Sequence, residues 1–468
     1  MRLADIISFG KTYFTLGIAA VFILAALFCA GYFLVYKKLM KGAKSLGART
    51  ALLAALSACY VVVVLAAVFL NRGSYERAYV LAPFSSYAQA WNEWHVGGWR
   101  NIILNILLFV PFGFLLPLWG EWFQKAWRTV LCGFAFTLAI EFVQLAASVG
   151  VFETDDLMGN TFGVLIGYGF GMLFLSAVQK KKLSAGKTIG YAAPALIMAL
   201  VFGGIFTAYS LQEFGNMACL SGLKANMDEV SVSSDAAFSD EPGSVMIYCS
   251  AVGSEQTARE LAQAIFSSKG TTLDETQTDL YDESALFYAE GRKFSVWVTY
   301  LGNTYRYTDF SHDESLKRVQ DADEAAVRAA LAQINIELPE ACAFELTDTG
   351  YQFRADMASY GEKIMNGTLL CEYYSDGSVK SVRNNMVICS PYRACEVISE
   401  AEAYERARAG KFVPLYFAGV PRSIELQSVE LTYLLDSKGY YQPVYRFSCV
   451  CAGASLEQEA YLLVPAMR

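Results

Sequence analysis

Six apolar stretches in the first 208 residues, each near the length of a bilayer crossing, constrain this chain more than anything else in it. They are Tyr13–Tyr36, Ala51–Leu70, Ile102–Leu118, Val130–Gly150, Thr161–Val178 and Thr188–Ala208. A helix rises about 1.5 Å per residue, so roughly 17–25 apolar residues cross a hydrocarbon core. No water is available there to satisfy backbone amides, so each stretch is expected to be a helix. Ile102–Leu118 is the shortest and contains Pro111 and Pro117, so a kinked or re-entrant helix is expected there.

Charge divides the chain at the same place. Residues 1–208 carry 16 Lys/Arg against 8 Asp/Glu, a net of +8, and residues 209–468 carry 21 against 37, a net of −16. A basic apolar half and an acidic polar half are different kinds of object. The acidity argues against a nucleic-acid partner. Lys37–Arg49, Glu121–Thr129 and Gln179–Lys187 hold most of the loop cations, whereas Val151–Asn160 holds none. The positive-inside rule therefore places these three loops in the cytoplasm. Six spans then leave both termini, and everything after Tyr209, outside. The first stretch is expected to stay as a span, because its cations follow it and no small-x-small cleavage site stands out.

Glu141 and Gln144 interrupt an apolar run, in Thr137–Ser148. An ionisable group in hydrocarbon is costly and normally faces a partner or a wet cavity. Glu141, Gln144 and Ser148 lie at i, i+3 and i+7 and would share one helix face. Asn105, early in the third span, could partner that face. Asp155 and Asp156 stand at the mouth of the fifth span, where Asp156 is expected to cap the helix, with Asn160 a turn further on. Gly159, Gly163, Gly167 and Gly171 recur every fourth residue, a stripe expected to let another helix of the bundle approach closely. Asn105, Glu141, Gln144, Asp155, Asp156 and Asn160 are thus the candidate polar site. It reads either as interhelical hydrogen bonding or as a pocket for an amphiphilic envelope molecule. Two histidines and no C-x-x-C give no basis for a metal site, and no cofactor is expected. Catalytic residues stay unassigned.

The stretch Asn101-Ile-Ile-Leu-Asn-Ile-Leu-Leu-Phe-Val-Pro-Phe-Gly-Phe-Leu-Leu-Pro117, then Ile140-Glu-Phe-Val-Gln144, then Phe152-Glu-Thr-Asp-Asp-Leu-Met-Gly-Asn-Thr-Phe-Gly163, with Ala82-Pro-Phe84 upstream, resembles the VanZ-like family of bacterial membrane proteins over residues 10–208. The resemblance implies a place near cell-wall chemistry, since the family's named member is associated with glycopeptide resistance of the teicoplanin type. One departure is Gly150, which stands where the family often has an arginine.

Residues 209–243, rich in Ser, Asp, Gly and Glu, read as a linker or stalk. Beyond it a helix followed by antiparallel strands recurs, giving modules at about 244–310, 320–390 and 397–468. The helices are Ser254–Lys269, Glu324–Ile334 and one opened by Ser399-Glu-Ala-Glu402, a capping box. Asp376-Gly377 and Asp436–Gly439 read as hairpin turns. These tandem units are similar to PepSY-type or cystatin-like extracytoplasmic modules, which implies inhibition or protein binding. The outer half also holds eight of the eleven cysteines, and core packing and disulfide bridging both stand open for them.

The sequence therefore describes a six-helix membrane domain followed by an extracytoplasmic α+β domain. The expected partners are the lipid bilayer and either a lipid-linked envelope molecule or a membrane protein partner. The leading function is binding an envelope ligand or regulating an envelope partner. An enzyme acting on a lipid-linked wall precursor or phospholipid is the alternative, and a proton-coupled transporter is a weaker one, because no inverted repeat supports it.

Overall fold

The computed structural model describes residues 47–69, 78–217, 227, 230–412, 421–453 and 457–468. The expected span Tyr13–Tyr36 lies outside them. The described residues fall into two compact units, one of those between 47 and 90 with 96–212, the other of 91–95 with those between 213 and 468.

Five helices of the first unit are long and apolar enough to cross a membrane. They are α1 (Ala48–Phe69), α3 (Val96–Trp119), α4 (Ala126–Ala147), α5 (Thr154–Val178) and α6 (Ala185–Leu211); between α1 and α3 lies a short α2 (Ser85–Glu93). Helix α3 runs unbroken through both prolines, so the re-entrant alternative does not hold. Helix α5 starts seven residues before the expected Thr161. The acidic run is thereby its first turn rather than a loop.

Side-chain bonds fix the directions of the helices. Arg49 at the start of α1 donates to the Leu118 carbonyl at the end of α3 at 3.1 Å, and Gln144 at the end of α4 donates to the Val68 carbonyl at the end of α1 at 3.5 Å. Helices α3 and α5 run parallel, because successive glycines of α5 meet successive turns of α3. A Cβ on Gly163 would land on the Ile106 carbonyl, and one on Gly167 would land on that of Val110. Gly113 of α3 answers with the same contact against the Val164 carbonyl. Half of α5's membrane window is buried, against 6% for α6, so α5 is the central helix and α6 a peripheral one. Where lipid is as apolar as leucine, this close backbone approach is what holds helices together.

The second unit is built on one sheet, fourteen strands among the described residues. Its strands are β3 (Ser231–Ser233), β4 (Gly243–Ser250), β5 (Asp279–Leu280), β6 (Ser284–Tyr288), β7 (Phe294–Thr299), β8 (Thr304–Asp309), β9 (Ala343–Thr347), β10 (Gly350–Tyr360), β11 (Lys363–Tyr373), β12 (Val379–Asn384), β13 (Val387–Val397), β14 (Ser423–Leu435), β15 (Tyr440–Ala452) and β16 (Glu457–Pro465). Three helices accompany it: α7 (Glu255–Ser268), α8 (Glu324–Ala332) and α9 (Glu400–Arg408). Ser254 and Thr257 form a full capping box on α7, whereas Ser399 of α9 accepts from the Glu402 amide.

Two large hydrophobic cores lie on this sheet, with two smaller clusters beside them. Ile265 and Phe266 of α7, Phe287, Val296 and Tyr307 of β6–β8, and Leu331 of α8 bury themselves in one cluster. Val397, Ala403, Phe447 and Leu462 build a second, which also takes in Cys449 and Cys451. Pairing of β12 with β8 and of β13 with β4 joins units that the sequence separates.

The 209–243 stretch is tied into this sheet. Strand β3 pairs with β14 in parallel. Asp436, fully buried in the β14–β15 turn, accepts from the Gly215 amide at 2.7 Å, the Lys438 amide at 2.8 Å, the Tyr440 amide at 2.9 Å and the Gln442 amide group at 2.7 Å. The serine- and acid-rich composition does not reveal this anchoring.

Two outcomes are expected. Gly163→Ala and Gly167→Ala should each lower the stability of the membrane half by about 1–3 kcal/mol, measured by thermal melting in detergent. Gly159→Ala should be tolerated, because its Cβ meets only the Ile106 Cγ1 at 3.5 Å. Asp436→Ala should cost about 3 kcal/mol by stranding buried donors, with hydrogen exchange accelerating first at Gly215, Lys438 and Tyr440.

Candidate functional site

A two-residue parallel pairing sets the register at one end of the membrane unit. Strand β1 (Tyr79–Val80) lies on β2 (Phe152–Glu153), Tyr79 opposite Phe152 and Val80 opposite Glu153. The pairing brings the turn after β1, Ala82-Pro-Phe84, against the start of α5. Phe84 turns the chain in a left-handed conformation, φ 65°, and α2 begins at Ser85. Such a φ is unusual outside glycine and persists only where surroundings enforce it.

Asp155 supplies that enforcement. Its carboxylate accepts from the Phe84 amide at 2.5 Å, the Ser86 amide at 2.7 Å and the Ser85 hydroxyl at 3.3 Å. Asp155 therefore caps the N-terminus of α2, a helix about seventy residues earlier, and is itself buried. Two backbone amides and a serine hydroxyl thus satisfy it. Ser86 also donates to Glu153 at 3.0 Å, and Thr154 to the Leu81 carbonyl at 3.2 Å.

The expected cap at Asp156 is not what forms. Glu153 is the N-cap of α5, with no side-chain cap bond, and Asp156 sits inside the first turn, where its Oδ1 accepts from the Asn105 amide group at 2.6 Å. Asn160 donates to the Thr137 hydroxyl at 2.8 Å, bridging α5 to α4. Thr137, Glu141 and Gln144 are all buried on one face of α4. Ser148 does not continue that face. It ends the helix in a left-handed conformation, φ 56°, its amide bonded to the Gln144 and Leu145 carbonyls. The candidate residues thus divide into a mouth, Asn105, Asp155 and Asp156, and a buried column, Glu141, Gln144 and Asn160.

The sequence named Thr137 and Phe84 only as ends of longer stretches, and gave no role to them or to Ser86 and Tyr87. Thr137 lies four residues before Glu141, the helical spacing that would have placed it on the same face. Serines after Pro83-Phe84 carry the signature of a helix start.

Beside the mouth, a cavity of about 690 Å³ opens between α2, α4 and α5. Phe84, Tyr87, Phe134, Leu157, Met158 and Phe162 supply most of its wall, with Thr154 and Thr161 as its hydroxyls. Burial and the charges of Asp155 and Asp156 push the Tyr87 hydroxyl above its ordinary range. Tyr87 thus connects the apolar wall to the acidic mouth. No group of three or more metal-ligating side chains forms among the described residues.

The family comparison falls on the membrane half. A family model described as VanZ/LLP1 matches residues 22–175. Residues 22–175 are thus similar to that family, in a protein with five candidate membrane-spanning helices among its described residues. No curated protein matches the chain. Among solved structures, a crystal structure of an uncharacterized protein from Eubacterium rectale aligns with a TM-score of 0.27 and 11% identity, covering 51% of this chain and 88% of that one.

Replacing Asp155 with alanine should free the Phe84 and Ser86 amides, at a cost of about 1–3 kcal/mol. Hydrogen exchange should rise at residues 84–88 before any change in α4, and unchanged exchange there would contradict the capping role.

Proposed function

We propose that this is a cell-envelope membrane protein whose membrane half holds one amphiphilic envelope molecule without turning it over. The apolar chain of that molecule lies in the cavity between α2, α4 and α5, and its polar head lies at the mouth beside Tyr87 and the Asn105–Asp156 pair. The cavity carries this reading. Its volume falls within the roughly 300–1,000 Å³ usual for ligand sites, and Phe134 of α4 and Met158 of α5, both in its wall, are exposed on the helix surface. The VanZ-like region supports the envelope setting, and a link to glycopeptide resistance follows from that resemblance alone.

Binding is favoured over chemistry because Asp155 is committed to backbone amides and Asp156 to Asn105. Neither carboxylate stands ready as an acid, base or nucleophile. Orientation follows from charge. Arg49, Lys125, Arg128 and Lys180–Lys182 gather at one end of the bundle, and the acidic mouth lies at the other. The positive-inside rule places that mouth, both termini and the acidic half outside the cell.

The full chain in nanodiscs containing a diazirine phospholipid tests this reading. Crosslinks should concentrate on Phe134, Leu157, Met158 and Phe162, and Leu157→Trp should reduce them several-fold by filling the cavity. Crosslinks spread evenly onto Leu196 and Leu200 of α6 would mean ordinary boundary lipid and end the proposal.

A further inference from the structure

The outward face of β6, β7, β8 and β12 takes no part in the features described so far. Register aligns its side chains in a row: Leu286 opposite Trp297, Trp297 opposite Arg306, and Arg306 opposite Arg383. Flanking rows bring Thr299 opposite Thr304 and Thr308 opposite Ser381. The other face of the same strands carries Phe287, Val296, Tyr307 and Val382, all fully buried. Strand alternation thus leaves the Trp297 row out of the core.

Two independent observations mark this row as more than a solvated surface. Tyr281 and Trp297 stack with ring centroids 5.5 Å apart and planes 3° apart, yet 45% and 43% of each residue remains exposed. Two parallel, stacked rings held in the open form a rigid apolar surface, which is costly to leave uncovered. Arg306 and Arg383 then sit directly opposite each other on adjacent strands, both exposed. Neither guanidinium pairs with a carboxylate among the described residues. Like charges directly opposite destabilise a sheet, and here they stand in a half where acids outnumber bases 37 to 21.

The chemistries of the two parts complement one ligand class. The C–H-lined face of a pyranose ring fits an aromatic plane, and a guanidinium fork fits a carboxylate or phosphate in two-point contact. Asp279, opposite Leu286 at the far end of the row, repels an anion from that side and so directs the acidic group toward the arginines. We infer that this face binds an acidic oligosaccharide, with a sugar ring on Trp297 and Tyr281 and its anionic group on Arg306 and Arg383. The site is separate from the membrane cavity, and its fate does not decide that of the lipid reading.

Titration of the full chain in detergent with hexagalacturonate, followed by calorimetry and tryptophan fluorescence, tests the inference. Maltohexaose serves as the neutral control and hexaglutamate as the acidic control without sugar rings. Binding should be confined to the uronate. Trp297→Ala should weaken it about tenfold, as should Arg306→Gln with Arg383→Gln, while melting temperature does not fall in the arginine variant, because removing opposed like charges relieves the sheet. Equal binding of maltohexaose would remove the role of the arginines. Equal binding of hexaglutamate, or full affinity in Trp297→Ala, would remove that of the platform. Any of these outcomes, or no uronate binding at all, overturns the inference.

Discussion

Contact between the backbones of α3 and α5 is the constraint on which the membrane half depends. Helices in lipid gain nothing from burying leucine against leucine, so association rests on how closely main chains approach. Gly163 and Gly167 accept the Ile106 and Val110 carbonyls where any Cβ would collide, and Gly113 reciprocates against Val164. With that register set, Asn105 reaches Asp156, and Asn160 reaches Thr137 on the antiparallel α4. The polar contacts are consequences of a fit made by small residues.

The acidic run then serves several purposes within four positions. Glu153 takes part in β2 and accepts from Ser86, Asp155 caps α2, and Asp156 holds Asn105. Identical side chains at adjacent positions differ because a helix turns about 100° per residue and presents each to a different neighbour. The α2 elbow held by Asp155 also supplies Phe84 and Tyr87 to the cavity wall. A structural cap thus shapes the surface on which the proposed ligand rests.

Much of the fold was legible from periodicity. Apolar stretches marked six spans, five of which fall among the described residues as long helices, with boundaries short of the helix ends where polar residues entered the first turns, as at Thr154–Asn160. Turn chemistry at Asp376-Gly377 and Asp436–Gly439 located hairpins, and Gly377 and Gly439 adopt φ of 80° and 92° there. Helix α2 escaped notice because nine residues of mixed polarity carry little periodic signal. The strand pairings that cross the expected modules of the outer half were hidden for a different reason. Each helix-plus-strand unit is locally complete, but nothing in one unit's pattern records that β12 pairs with β8.

What the sequence determined by itself was local and chemical: which segments must be helices in oil, which residues are too polar to face lipid, and which end of the bundle is basic. Length, hydrophobicity and charge are additive along a chain and need no partners to be read. Tertiary structure alone decided that Asp155 caps a helix some seventy residues away and that Cys449 and Cys451 pack into a core. It alone placed Arg306 beside Arg383, residues 77 positions apart. Such pairings depend on which surfaces meet, and that is a property of the whole packed chain rather than of any segment within it.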